Sequence, residues 1–265
     1  MAVINITPDS FHTDSRVDST TAALTLAERM LAAGADWLDI GGESTRPGAE
    51  PVDVAEELAR VIPIIEAIRG LHPDALISID TRRAEIAAAA LDAGADMVND
   101  VSGLRDPLMR DLIVQRRCAV CIMHMLGKPR DMQVEPVYDD VIGEVAAALR
   151  QKAEEIVALG HPVESICLDP GIGFGKALSD NLSLLSAEAV EALRGEQRFA
   201  VLWGVSRKSM FGDLLERDTT GERLAGTLAV ATHAQAIGVD MLRVHDVSEH
   251  ADVGRTMVAL RGAVR

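Results

Sequence analysis

Polar residues close short apolar runs along the whole chain: Asn5, Asp39, Asp80, Asn99, Asp169, Arg243 and His245. Asp80, Asn99 and Asp169 bring acceptors and one amide. That set suits a heterocycle presenting amino and ring N–H donors beside a carbonyl. Nearer the C-terminus, Ser206-Arg207-Lys208-Ser209 and Arg243-Val244-His245 bring guanidinium forks and an ammonium. These hold phosphate or pyrophosphate. A donor-rich heterocycle carrying phosphate is the ligand the two sets describe together.

Other patterns carry less. Pro170-Gly171-Ile172-Gly173-Phe174-Gly175-Lys176 holds three glycines, but they miss the dinucleotide spacing. Ala177 stands where a phosphate-cradling loop needs Ser or Thr. Gly204-Val205-Ser206-Arg207-Lys208 lacks the last glycine of a nucleophile elbow. Cys118 and Cys121 are three apart in an apolar run, so a strand turns them to opposite faces, against a zinc or redox pair. Met123 and Met125 share one face of that run and His124 takes the other. The polar stretch from Gly41 to Gly48 is suited to closing over a ligand.

The 265 residues include 41 acidic and 26 basic side chains, a formal charge of −15. This excludes the basic face of a nucleic-acid binder and requires any anion site to be built locally. No stretch reaches the roughly 18–20 apolar residues of a membrane span. Without the basic start of a signal peptide, the expected compartment is the cytoplasm.

Eight β-branched runs alternate with longer Ala/Leu/Glu-rich stretches. The runs lie near Val3–Ile6, Trp37–Ile40, Leu76–Asp80, Met97–Asp100, Cys118–His124, Ser165–Asp169, Phe199–Val205 and Met241–His245. Helices are expected at Thr20–Ala33, Val54–Ile68, Glu85–Ala93, Val141–Leu159 and Arg223–Ile237, with Gly34, Gly94, Gly160 and Gly238 ending helices. Gly34-Ala-Asp36, Gly94-Ala-Asp96 and Gly238-Val-Asp240 form a faint repeat at helix-to-strand joints. Eight βα units without a linker predict a single (β/α)8 TIM barrel over residues 1–265, with a doubly wound sheet as the alternative.

Strand parity sharpens this. Ile4/Ile6, Leu38/Ile40, Ile77/Ile79, Ile166/Leu168 and Leu242/Val244 form an apolar set for the covering helices. The opposite parity carries the polar residues, expected at the strands' C-terminal ends, where barrel enzymes do their chemistry. Helix capping explains any one of them but not the shared parity.

The motifs Asn5–Phe11, Asp39–Gly48, Ser78–Thr81, Asn99–Gly103, Met123–Met125, Leu168–Lys176, Ser206–Met210 and Arg243–Asp246 together resemble the dihydropteroate synthase family over nearly the whole chain. The resemblance implies a transferase of folate biosynthesis, a homodimer and sulfonamide target. It joins dihydropterin hydroxymethyl pyrophosphate to para-aminobenzoate. It further implies that Asp80, Asn99, Asp169 and Lys208 hold the pterin, and that Arg243, His245 and Asn5 take the pyrophosphate with Mg²⁺. Phe174, Ser206, Met123 and Gly204 would line the substrate site with the loop residues Thr45, Arg46 and Pro47. Phe11 and Asp9 would sit on a first loop over the metal.

On this reading Lys208, Arg243, His245 and Asp80 are the catalytic set, and Lys208→Ala or Arg243→Ala costs turnover but not the fold. Two departures from the family stand out. The usual hairpin ahead of strand one is not in this sequence, and His12-Thr13-Asp14-Ser15-Arg16 replaces a Gly-rich first loop, which bears on sulfonamide sensitivity. The alternatives are a silent pterin-binding barrel and a methyltetrahydrofolate:corrinoid methyltransferase domain.

Overall fold

Strands and helices alternate through a computed structural model that describes residues 1–6, 16–43, 52–127 and 137–263. The order begins β1 (Ala2–Asn5), α1 (Arg16–Ala32), β2 (Trp37–Gly41), α2 (Val54–Leu71), β3 (Leu76–Asp80), α3 (Ala84–Asp92), β4 (Met97–Asp100), α4 (Pro107–Arg116) and β5 (Ala119–Met123). It continues with α5 (Val141–Ala158), β6 (Ile166–Asp169), α6 (Leu178–Leu184), α7 (Ala187–Arg194), β7 (Ala200–Trp203), α8 (Met210–Leu215), α9 (Leu224–Ile237), β8 (Met241–Leu242) and α10 (Val247–Ala263). The eight strands pair in parallel in sequence order.

Closure runs through residues beyond the short last strand. Val3 N donates to Val244 O at 3.0 Å and Val244 N to Met1 O at 2.9 Å. The barrel expected from the βα count is therefore the fold, and the doubly wound alternative is set aside. No helix among the described residues is long and apolar enough to cross a membrane.

Parity holds as expected. Ile4, Leu38, Ile40, Ile77, Ile79, Val98 and Leu168 are fully buried in the cluster that the helices cover. The inward residues at the opposite end from the polar mouth form a separate floor of Met1, Met97, Cys121, Cys167 and Leu202. Cys118 precedes β5 and is half-buried, whereas Cys121 lies inside, and both thiols are free.

The Gly-x-Asp repeat proves to be a joint. Gly94 and Gly238 take positive φ of 110° and 84°, where glycine carries little penalty. Asp96 Oδ2 then accepts the Ile77 amide at 2.8 Å and an Arg69 Nη at 2.7 Å. Asp240 Oδ2 accepts the Val201 amide at 2.9 Å and an Arg194 Nη at 3.0 Å. In each joint the arginine also reaches the glycine carbonyl. Thus one carboxylate satisfies a strand amide and ties the preceding turn to a neighbouring helix. Asp96→Ala and Asp240→Ala should each cost about 1–2 kcal/mol, with additive effects in the double variant because the joints share no partner. Urea unfolding of the three variants measures this.

Candidate active site

An ion fork organises the barrel mouth. Arg243, just past β8, donates from Nε to Asp39 Oδ2 at 2.6 Å and from an Nη to Asp80 Oδ2 at 2.6 Å. Asp39 is fully buried, and the same Oδ2 accepts the Asn99 side-chain amide at 3.1 Å. Asp39 Oδ1 and Asp80 Oδ1 are buried with no hydrogen-bond partner among the described residues. Burial pushes the Asp80 carboxyl up to about 7, with the Arg243 charge pulling the other way. Burial disfavours the Arg243 charge, but Asp39 and Asp80 outweigh it and raise its pKa.

Asp169 closes β6 across the mouth. Its Oδ1 accepts the Gly171 amide at 2.7 Å, and burial raises its pKa against the pull of Lys208. Lys208 donates to the Ile172 carbonyl and stands 4.3 Å from the Phe174 ring centroid. Burial lowers its pKa to about 8, opposed by Asp169. A side chain added at Gly204 would start 3.6 Å from Asp169 Oδ2 and 4.0 Å from Arg243 Cβ, so glycine keeps the β7 end open between them. Ser206 Oγ accepts the His245 amide at 3.2 Å and lies 3.0 Å from its Nδ1.

The structure therefore brings Asp80, Asn99, Asp169, Lys208, Gly204 and Arg243 together, with Ser206 and His245 at the rim. Met123 and Phe174 pack with Val101 and Met125 in an apolar cluster at the same end. Asn5 ends β1 half-buried. Thr45, Arg46, Pro47, Phe11 and Asp9 lie outside the described residues.

Two expectations need correction. Asp39 is not at its strand's end. Gly41 is the residue in register with Asp80, and Asp39 pairs with Ser78 one layer deeper. Arg207 does not join a phosphate cluster. At φ 55° its chain turns left-handed, and its guanidinium is bound by Asp246, with Nε 2.8 Å from Oδ2.

Sequence reasoning missed two buried ion clusters behind the site. Lys176 is buried with Nζ 3.1 Å from Gly171 O, 3.0 Å from Phe174 O and 3.1 Å from His124 Nδ1. Burial lowers its pKa to about 7 and that of His124 to about 3, so the ring is neutral and accepts a hydrogen bond from the lysine. Gly171, at φ 67°, could carry no side chain, since a Cβ would lie 1.8 Å from His124 O. In the other cluster, buried Glu57 on α2 accepts Thr81 Oγ1 at 2.8 Å and an Arg83 Nη at 2.6 Å. Arg82 and Arg83 both bind Glu43, which accepts the Val52 amide at 3.2 Å. The residues flanking 44–51 are thus tied to Arg82 and Arg83, just past the end of β3. A lysine in a Gly-rich loop and a glutamate on an apolar helix face were the available signals.

Magnesium can be tested against the donors present. Among the described residues no three His, Cys, Asp or Glu side chains could hold a metal by themselves. Mg²⁺ typically keeps waters and takes one or two protein oxygens with substrate phosphates. The Asn5 amide oxygen fits that shared role.

Comparison with known proteins follows this geometry. The family model described as pterin binding enzyme matches residues 1–245. A dihydropteroate synthase of Neisseria meningitidis serogroup C is 44% identical over 98% of this chain and 92% of its own length. A probable bifunctional folylpolyglutamate synthase/dihydropteroate synthase of Haloferax volcanii is 43% identical over 98% of this chain, which spans 30% of that protein. The Burkholderia cenocepacia dihydropteroate synthase complexed with 7,8-dihydropteroate is 45% identical, with a TM-score of 0.88 covering 100% of this chain and 92% of that one.

The fork also revises the expectation that Arg243→Ala leaves the fold intact. Removing a buried counter-ion leaves Asp39 and Asp80 facing each other, at a cost of about 3–5 kcal/mol. Asp80 already binds its proton more tightly folded than unfolded, so its contribution falls as pH rises from its ordinary 3.8 toward about 7. Without Arg243 that window extends upward. Urea midpoints should show a larger deficit at pH 8 than at pH 5.5.

Proposed function

The chain belongs to the pterin-binding enzyme family, and within it to the dihydropteroate synthases, and from that premise we propose how its residues carry the reaction. The chemistry joins dihydropterin hydroxymethyl pyrophosphate to para-aminobenzoate, giving dihydropteroate and pyrophosphate. One observation carries the reading. Acceptors from three strands, Asp80, Asn99 and Asp169, converge with Lys208 and Arg243 in one barrel mouth. We read residues 1–265 as one pterin-binding barrel unit.

The pterin's amino and ring N–H donors go to Asp80, Asn99 and Asp169, and Lys208 donates to its carbonyl side. The Asp80 oxygen without a partner is the acceptor such a ring would complete. Arg243 uses Nε and one Nη on carboxylates and turns its remaining donors to the pyrophosphate, joined by the imidazole of His245. Magnesium, when bound, neutralises the diphosphate charge, and the Asn5 amide oxygen would hold it. The carbon–oxygen bond breaks with its electron pair leaving on pyrophosphate. The methylene cation left on the pterin is stabilised by ring electrons and by the carboxylates of Asp80 and Asp169. The arylamine lone pair then forms the carbon–nitrogen bond, and the nitrogen sheds one proton. An arylamine is nucleophilic at neutral pH, so no strong base is required. The aryl slot comprises Phe174 and Ser206 with the loop residues Thr45, Arg46 and Pro47, while Met123 and Gly204 line the substrate site and Phe11 sits on the first loop. A homodimer in the cytoplasm completes the reading.

A corrinoid methyltransferase domain would use the same acceptors but has no diphosphate to place beside Lys208 and Arg243, and a silent barrel would be expected to have lost one of the phosphate ligands that this chain keeps. A coupled pyrophosphate-release assay with the pterin pyrophosphate, Mg²⁺ and para-aminobenzoate tests the proposal. Release must depend on the arylamine, and a sulfonamide should compete with it. Tight pterin binding without release would favour the silent barrel. Lys208→Ala should lower kcat/KM by about 100-fold or more. Because the Lys208 ammonium is lost as pH passes about 8, kcat/KM of the native enzyme should fall above that pH.

A further inference from the structure

Asp39 is given no substrate role in the reading above, yet two groups that are given one converge on a single one of its oxygens. Oδ2 accepts Arg243 Nε at 2.6 Å and Asn99 Nδ2 at 3.1 Å. The residue is fully buried in the middle of β2, and the strand pairs it with Ser78, beneath Asp80. A carboxylate oxygen accepts and never donates, so the Asn99 arm facing Asp39 must be the NH2. The arm left for a ligand is then the carbonyl oxygen.

We propose that Asp39 is a positioning residue that sets the hydrogen-bond polarity of Asn99, making that point of the site accept only a ring donor, while holding Arg243 in place. The inference rests on the pterin reading above. It explains how a side chain with one donor arm and one acceptor arm discriminates between ring edges. An amide free to flip would welcome a ring acceptor as readily as a donor. With Asp39 beneath it, a ring acceptor meets the Asn99 oxygen and loses the bond.

The charged or titratable groups that interact with Asp39 are Arg243 beyond β8, Asp80 on β3, the Cys121 thiol on β5 and the Met1 amino group on the β1 side. A second carboxylate at position 99 would face Asp39 directly. It could replace the lost N–H only by sharing a proton with Asp39, and that proton leaves as pH rises. Asn99→Asp therefore reads the polarity itself. A site that needs an acceptor there gains affinity as that proton leaves, whereas a site that needs a donor loses affinity.

Equilibrium binding of the pterin pyrophosphate with Mg²⁺, measured by calorimetry from pH 6 to 9, tests the proposal on the native protein and three variants. Asp39→Asn offers an amide oxygen in the Oδ2 place and should bind within about fivefold of native. Asp39→Leu leaves both donors buried and unpaired and should weaken binding by about 30-fold or more. Asn99→Asp should gain affinity relative to native as pH rises and the proton shared with Asp39 leaves, by up to about one proton. A folded Asp39→Leu that binds within twofold of native overturns the proposal. So does an Asn99→Asp profile parallel to native, which decides the matter even if Asp39→Leu does not fold. Native protein that fails to bind the pterin pyrophosphate overturns the parent reading instead.

Discussion

A guanidinium held between two buried carboxylates is the constraint on which the barrel mouth depends. Asp39 and Asp80 come from β2 and β3, and Arg243 follows β8, so the fork crosses the lumen and joins strands that are not neighbours. β8 is only two residues long, and its register with β1 rests on Val244. Arg243 immediately precedes that residue. The fork thus fixes the mouth's charge layout at the point where the barrel closes. Buried ion triads contribute little net stability compared with well-packed apolar groups, but losing one member is costly because the others stay buried and charged. What the triad supplies here is arrangement.

The same logic recurs in the two clusters behind the site. Lys176 ties carbonyls of the loop after β6 to His124 at the end of β5, and Gly171 permits the close approach. Glu57 ties α2 to Thr81 and, through Arg83 and Glu43, to the residues flanking 44–51. Irregular loops leave backbone groups that no strand pairs. A buried ion with several bonds at once satisfies them and fixes the loop. The active face is therefore lined by loops held on charged pins, while the apolar layers beneath carry the fold.

How far this was legible depends on distance along the chain. The barrel was readable because strand parity is a period of two, visible within five residues, and Asp80, Asn99, Asp169 and Arg243 followed from it. The depth of Asp39 was not, since stagger between strands shifts their layers and leaves no trace in a single run. The Gly-x-Asp repeat was visible, but its partners Arg69 and Arg194 lie a helix or more away. Arg207 misled because Asp246, 39 residues on, takes a side chain whose local spacing matched a phosphate site. Lys176 and Glu57 were hidden in plain patterns, one in a glycine loop and the other on an apolar helix.

The mouth also answers the difficulty posed by a chain of net charge −15 binding a diphosphate. The resting site sets Asp39, Asp80 and Asp169 against Arg243, Lys208 and Lys176, and burial pushes the carboxyls of Asp80 and Asp169 up and both lysines down. Those two carboxyls and two lysines are thereby biased toward their neutral forms. A ligand presenting N–H donors favours the ionised carboxylates, and its diphosphate favours the charged lysine and frees the guanidinium from serving the carboxylates alone. A ring without the diphosphate, or the diphosphate without the ring, would correct one half of that imbalance and leave the other. On the proposed reading the site's own unsettled charges supply the preference for a ligand that carries both parts, and attraction at long range is not needed.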